Sequence, residues 1–554
     1  MIKKKKYILF ILIVVTITGG ISFTGVASGK MLPEDADHNQ IICLPIKNET
    51  GAYLDSMKSF YDSLRTFGSI MQEPLMGLNK DLEVAPLGAE YWKVSEDGLN
   101  WTFHLRKGLK WSDGAPVTAH DYVFALQRAV INGYDFSWYW STIAGIKNWE
   151  RVEKNELPVD ELGIKALDDY TLTITTETPK PFLAMVLTRL YPTPRHAVQR
   201  YGDEYATRAE TMVGNGPFMV IEWVRGSHIT LVQNPYYEGI WPPYLEKIVL
   251  KYGTFDPETG FPAYLNDEIH YSELNAGQLA YVKKNLPEEL YSGPMLRLFY
   301  LSFDTTKPPF NDVRVRQAFN HAINREELCS TVLRDVAIPE YSVLMKGFPG
   351  YDPIQAKELS EYDLELAKKL LAEAGYPDGE GFPEQELWVR NASQHAVWQI
   401  PAAAYLQAQL KEALGVNIIP RLIEVKTYTD ALNQYSHNLF LATYGFDYLD
   451  PSNFMDLFLT NGRHSWPNPD YNRLVNEADS AFDWEERIEK YRKAEQVLIQ
   501  EAPAIFIFQA MHCVVWKPFL KVGALEKNKE GTENFNIDDS SRYIASHIYV
   551  KKND

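Results

Sequence analysis

An α/β protein with mixed sheets is predicted by three features of the sequence. Some segments alternate apolar and polar residues at every second position, and others repeat apolar residues at helical spacing. A third kind of segment, the run Ala504 to Trp516, is rich in Ile, Phe and Val and too short to span a membrane, so it reads as a buried strand. Strand and helix patterns interleave along the whole chain, which is the order expected of an α/β architecture.

The elements follow in order. Leu99 to Arg106 alternates, with Trp101, Phe103 and Leu105 on one face, as a half-buried strand does. Trp111-Ser112-Asp113-Gly114 is a turn, because glycine after aspartate accepts a positive φ. Thr118 is placed to cap a helix, with Asp121 three residues on and Tyr122, Ala125, Leu126 and Ala129 at helical spacing. Further strands are expected at Tyr170–Thr176, Ile229–Gln233 and Lys247–Tyr252. Asp363 to Ala374 reads as a helix: Leu364, Ala367, Leu370, Leu371 and Ala374 share a face, Glu365 and Lys369 pair along the other, and Gly375 and Pro377 stop it. Tyr405–Leu414 and Arg487–Gln500 are also read as helices. Proline- and glycine-rich joints lie near Pro179–Pro181, Tyr191–Pro194, Trp241–Pro243 and Lys307–Pro309, and each suits a domain boundary or an ordinary loop equally.

The first residues have the order of an export signal. Lys3 to Lys6 are followed by an apolar run from Tyr7 to Ile17 and by small residues at Gly25, Ala27, Ser28 and Gly29. Residues 1–29 are therefore expected to be a cleaved signal, with an uncleaved anchor as the alternative; Gly19 and Gly20 interrupt the stretch a span would need. The first cysteine, Cys43, lies far past the apolar run, so lipid attachment is not expected.

The 554 residues allow several domains and a large core, and 45% hydrophobic with 23% charged residues is a globular balance. The net charge is −18, and −22 once the four lysines before Lys30 are removed. Such an acidic surface argues against nucleic acid and anionic lipid as partners. Cys43, Cys329 and Cys513 leave at most one bridge, with the pairing open, and no C-x-x-C is present. Catalytic motifs are missing: there is no H-E-x-x-H, G-x-S-x-G, phosphate-cradling glycine loop or dinucleotide fingerprint. Gly214-Asn215-Gly216-Pro217 carries two glycines, but its proline removes a donor that a phosphate loop needs. His512 beside Cys513 lacks further ligands, so neither a metal nor another cofactor is expected. Aromatic residues are abundant, and Tyr444, Tyr448 and Trp466 sit in polar, loop-like surroundings where a ring stacks on a ligand or packs in the core.

Several strings are more specific. Pro86-Leu87-Gly88-Ala89-Glu90-Tyr91-Trp92 runs on through Trp101-Thr102-Phe103-His104-Leu105-Arg106 to Lys110-Trp111-Ser112-Asp113-Gly114-Ala115-Pro116-Val117-Thr118. It is followed by Gly214–Phe218 with Asn234–Tyr237, by Pro309–Phe319, by Ala367–Gly381 and by Asp447–Phe454. In this order the blocks resemble the family 5 extracellular solute-binding proteins, which serve oligopeptide and dipeptide ABC importers. The resemblance runs from about Leu75 to Lys517.

The resemblance implies a two-lobed periplasmic-binding-protein fold, hinged and with mixed sheets, carrying an extra domain inserted in the first lobe. Lobe I then takes 31–80, 190–292 and 515–554, the inserted domain 81–189, and lobe II 293–514. The implied function is capture of a short peptide between the lobes and its delivery to ABC transporter permease subunits, without catalysis, by an exported monomer; the alternative is an oligosaccharide. In peptide-binding members an aspartate after an aromatic–small segment pairs with the ligand's α-amino group, and Tyr444-Gly445-Phe446-Asp447 matches it. Asp447 is then the amine partner, Tyr444, Gly445 and Phe446 line the ligand, and the competing role for Asp447 is to cap the turn into Pro451. Trp466, near Asn461, Gly462 and Asn468, is the platform a sugar would use. Arg314 and Arg316 are expected in internal salt bridges, one strand or loop step apart. Asn324 is expected to cap a helix where the family commonly has aspartate, and Asn215 to alter a local turn where it has threonine.

Overall fold

The computed structural model describes residues 31–46, 53–58, 70–79, 81–134, 136–434, 436–522 and 547–552. The expected signal at 1–29 lies outside them. Three larger sheets carry the fold. In the first, Ile41–Pro45 pairs parallel to Lys247–Lys251, which continues antiparallel through His228–Gln233 to Phe218–Val224. In the second, Ala89–Val94, Asn100–Leu105, Thr171–Thr175 and Ile164–Asp168 form an antiparallel sheet. Its alternation is the one the sequence announces, with Trp101, Phe103 and Leu105 at 3%, 0% and 4% exposure. Helix Ala119–Asn132 packs beside it, with the Asp121 carboxylate accepting the Thr118 N–H at 2.8 Å and Gly133 ending it at φ 56°. Gly114 closes the preceding turn at φ 87°, its N–H donating to Trp111 at 2.8 Å.

The third sheet has seven strands: Tyr271–Glu273, Ala504–Trp516, Leu290–Phe303, Leu439–Gly445, Gln385–Arg390 and Ile418–Ile423 in order, with Ala337–Pro339 on Ala504–Trp516. Its central strands are buried on both faces. Phe299, Leu301 and Phe303 enter one core with helices Val313–Ala322, Leu364–Glu373 and Ser393–Leu414, while Leu298 and Tyr300 enter another with Val425–Gln434, Pro469–Ser480 and Trp484–Glu501. Two covered faces explain why these strands read as continuous apolar runs rather than alternating ones. The first two sheets share a separate core that recruits Val514, Trp516, Leu520, Val522 and Ile548 from the late part of the chain. The strands Leu290–Phe303 and Ala504–Trp516, paired antiparallel, contribute residues to both regions. The boundaries expected at 292/293 and 514/515 fall inside these two strands.

Several local expectations are corrected. The helix read from Tyr405 begins at Ser393 and carries Pro401 within it. Proline disfavours a helix interior, and here burial of Ala402, Ala403 and Leu406 against the sheet outweighs that cost. Arg314 and Arg316 lie on a helix rather than a strand or loop. Arg314 pairs with Asp312 at 2.6 Å, whereas Arg316 donates chiefly to the carbonyls of Phe310, Glu501 and Ala502. Lys369 lies 4.0 Å from Glu373, one turn on, in place of Glu365. Asn324 caps as expected, accepting from the Glu327 N–H at 3.1 Å. The Asn215 side chain bridges Glu73, accepting its N–H at 2.9 Å and donating to its carbonyl at 3.0 Å. Cys43, Cys329 and Cys513 are free thiols, and burial pushes Cys329 and Cys513 up to about 12.

Candidate functional site

Strand Leu439–Gly445 delivers the candidate residues. Leu439 and Leu441 go to one helical layer and Phe440, Ala442 and Tyr444 to the other, the two-residue period of a strand. Across the ladder Tyr444 faces Leu298 and Gly445 faces Arg297. A Cβ on Gly445 would stand 2.8 Å from Arg297 Nη2, so glycine lets the guanidinium lie against the backbone there. The apolar run ends at Gly445, and Phe446, partly buried, meets Phe348 edge-on with centroids 6.5 Å apart.

Asp447 stands just beyond the strand and is partly exposed. The Tyr444 hydroxyl donates to its Oδ2 at 2.5 Å. Asn453 Oδ1 accepts the Asp447 N–H at 2.9 Å, and Asn453 Nδ2 donates to Tyr444 Oη at 3.4 Å. Tyr444 is 8% exposed; burial first, and then the Asp447 charge, push its phenol well above the ordinary value, with Arg463 opposing. It therefore stays a protonated donor at neutral pH. The Arg463 guanidinium sits 4.9 Å from the Tyr444 ring centroid. Among the described residues no lysine or arginine forms an ion pair with Asp447.

The turn into Pro451 is capped by a different carboxylate. Asp450 Oδ1 accepts the N–H of Ser452 at 3.1 Å and its hydroxyl at 2.8 Å. Both Asp450 oxygens also bind Arg487, at 2.7 and 2.9 Å, with both side chains buried. The capping role considered for Asp447 thus belongs to Asp450. Burial works against the Arg487 cation, but the Asp450 charge and hydrogen bonds outweigh it and hold its pKa above the ordinary value.

Between the two aspartates, Tyr448 turns inward at 2% exposure. Its ring stacks on Phe182 (centroids 5.4 Å, planes 17° apart) and meets Tyr139 edge-on at 6.4 Å. Arg487 also lies over Phe182, at 5.6 Å. The segment carrying Asp447 is therefore docked against residues far earlier in the chain, a pairing that composition does not announce. Trp466 is 5% exposed and packed against Tyr471 at 5.3 Å, which gives its ring to the core rather than to an accessible platform. His512 and Cys513 lie in strand Ala504–Trp516, and no group of three or more metal-ligating residues occurs among the described residues.

A core shared by the first two sheets, two further cores on the faces of the third, and two long strands that contribute to both regions fit the two-lobed binding-protein class. The chain belongs to the bacterial extracellular solute-binding proteins, family 5, whose model matches residues 83–466. It is 33% identical to a probable deoxycholate-binding periplasmic protein of Escherichia coli over 460 residues, 81% of this chain and 84% of that one. It is 31% identical to the periplasmic oligopeptide-binding protein of Salmonella typhimurium over 479 residues, 84% of this chain and 85% of the other. The fold matches the structure of the Escherichia coli murein tripeptide-binding protein with a TM-score of 0.74 at 27% identity, covering 94% of this chain and all (100%) of that one. Members of the family are binding proteins, and no helix among the described residues is long and apolar enough to cross a membrane.

Proposed function

We propose that this chain is the exported ligand-binding component of an ABC importer and that it captures short peptides, with Asp447 meeting the peptide's N-terminal ammonium. One observation carries the reading: Asp447 is partly exposed beyond a strand end, its Oδ2 accepts from a neutral phenol while an amide accepts its backbone N–H, and its carboxylate pairs with no cation of the described residues. An ammonium supplies the charge that is missing, and a charge-assisted hydrogen bond is worth roughly 1.5–3 kcal/mol. The end of the preceding strand, past its pairing with Gln385–Arg390 at Phe440 and Leu441, offers main-chain groups on that edge to an extended peptide whatever its side chains. Lobes made of 31–80 with 190–292 and 515–554, and of 293–514, close about strands Leu290–Phe303 and Ala504–Trp516. The inserted domain takes 81–189, the first 29 residues act as a cleaved signal, and the protein works as a monomer that transforms nothing. The relatives named above include an oligopeptide binder and a murein tripeptide binder, which supports the choice of ligand class.

The test is a calorimetric titration of the mature protein with trialanine, N-acetyl-trialanine, maltotriose and deoxycholate, the last because one relative is named for it. Trialanine is expected to bind at least tenfold more tightly than its acetylated form. Equal affinity for the two peptides, or preference for the sugar or the bile salt, would overturn the reading. The burial of Trp466, at 5% exposure, favours the peptide over the oligosaccharide alternative.

A further inference from the structure

The hydrogen bonds around Asp447 form a closed three-residue circuit. Tyr444 Oη donates to Asp447 Oδ2 at 2.5 Å, Asn453 Nδ2 donates to Tyr444 Oη at 3.4 Å, and Asn453 Oδ1 accepts the Asp447 N–H at 2.9 Å. Each member comes from a different local structure: the end of a buried strand, the loop beyond it, and the short helix Ser452–Met455. Tyr444 and Asn453 are 8% and 3% exposed, whereas Asp447 is partly exposed. One buried phenol thus holds a carboxylate oxygen, and one buried amide holds the main chain of the same partly exposed residue.

We infer that Tyr444 and Asn453 are positioning residues for ligand recognition, fixing the Asp447 carboxylate so that Oδ2 is occupied and Oδ1 is presented to the ligand's ammonium. This rests on the peptide reading above and adds to it what makes the acceptor selective. A carboxylate on a free χ2 can turn toward any donor or toward water, and binding must then freeze it. Here the phenol occupies one oxygen, and the amide anchors the residue's own N–H, so the ordering is done before the ligand arrives. A neutral donor serves better than a cation for this task. An arginine at Tyr444's place would neutralise the charge that an ammonium needs, as Arg487 does at Asp450. Burial keeps the Tyr444 phenol protonated, so the donor persists across the working range of pH. The ring itself is independently seated, edge-on to Phe454 at 5.2 Å and beneath Arg463 at 4.9 Å, so removing the hydroxyl leaves its packing in place.

The inference is tested with Tyr444→Phe, Asn453→Ala and Asp447→Asn, each titrated with trialanine and N-acetyl-trialanine, with Tm recorded for every protein. In Tyr444→Phe the affinity for trialanine is expected to fall about tenfold, one decade, while that for the acetylated peptide stays unchanged. The ratio of the two affinities therefore shrinks, which loss of packing alone does not produce. Asn453→Ala is expected to move the ratio in the same direction, and it keeps the inference testable should Tyr444→Phe misfold. An intact ratio in both variants, or an equal loss for both peptides, overturns the positioning role. Asp447→Asn separates the two layers. If its ratio collapses to about one while the other variants keep theirs, the peptide reading stands and only the positioning fails. If Asp447→Asn keeps the wild-type ratio, the amine-partner reading itself has failed.

Discussion

Asp447 and Asp450 are three residues apart and have opposite surroundings. Asp450 is buried, gripped by both arms of Arg487, and caps the turn into Ser452. Asp447 is partly exposed, touched by a phenol and an amide, and left with its charge unanswered among the described residues. One carboxylate is built into the structure; the other is the one proposed to meet a ligand's ammonium. The contrast teaches how to separate a stabilising charge from a binding charge without reference to sequence similarity: by asking what is already paired.

The largest effect expected is therefore on stability at Asp450. Asp450→Asn leaves the Arg487 cation buried beside a neutral partner, and breaking a buried pair in this way costs roughly 3–5 kcal/mol. Denaturant unfolding should show the unfolding free energy falling by that amount; a loss below about 1 kcal/mol would mean that Asp450 is not structural in the sense claimed.

Next in size are two other buried carboxylates in the same region. Glu340 accepts the N–H groups of Tyr341 and Ser342, Glu495 accepts the Ser342 hydroxyl and the Val343 N–H, and burial pushes each up to about 7. The folded protein holds these protons more readily than the unfolded chain. Their contribution is thus fully present below about pH 4.5 and is lost as pH rises through about 7. At 1.36 kcal/mol per pK unit, this amounts to roughly 3 kcal/mol for each group as an upper figure. Glu340→Gln and Glu495→Gln are expected to flatten the fall in stability between pH 5 and pH 8; an unchanged slope would count against it.

A smaller effect belongs to the stack between Tyr448 and Phe182. Phe182→Leu keeps an apolar side chain and removes the ring pair, for a loss of about 0.5–1.5 kcal/mol. If that stack couples the Asp447 segment to the earlier part of the chain, trialanine should also dissociate faster, which stopped-flow fluorescence can follow. Smallest of all is Gly445→Ala. The atoms nearest its Cβ would be the end of the flexible Arg297 side chain, so the shift expected is under about 1 kcal/mol, with no change in preference between free and acetylated peptide.

Much of this was legible beforehand, for physical reasons that differ by element. The strand at Asn100–Leu105 and the helix at Ala119–Asn132 are each buried on one side, so their periodicity is written in the sequence. The helix from Ser393 is legible in the sequence only from Tyr405: Pro401 lies inside it, and the packing that overrides a proline is tertiary. Asp447 was reached through resemblance; its polar setting gave no periodic signal. Arg487 as the partner of Asp450, and Phe182 as the partner of Tyr448, join residues distant in the chain, and no local pattern encodes such a pair. Trp466 looked accessible because asparagines and glycine surround it in sequence, yet its ring packs inward on Tyr471. Asn453 lies within the block Asp447–Phe454, but nothing local in the sequence marks its two hydrogen bonds, to the Asp447 N–H and the Tyr444 hydroxyl.

The contrast between the two aspartates is decided by one crossed measurement: Asp447→Asn and Asp450→Asn, each assayed for unfolding free energy and for calorimetric affinity toward trialanine and N-acetyl-trialanine. Asp447→Asn is expected to keep its stability within about 0.5 kcal/mol and to lose tenfold to a few hundredfold in trialanine affinity, with the two peptides no longer distinguished. Asp450→Asn is expected to lose its stability and, where it remains folded, to go on distinguishing them. An Asp447→Asn protein that is destabilised by several kcal/mol yet still prefers the free amine would contradict the account.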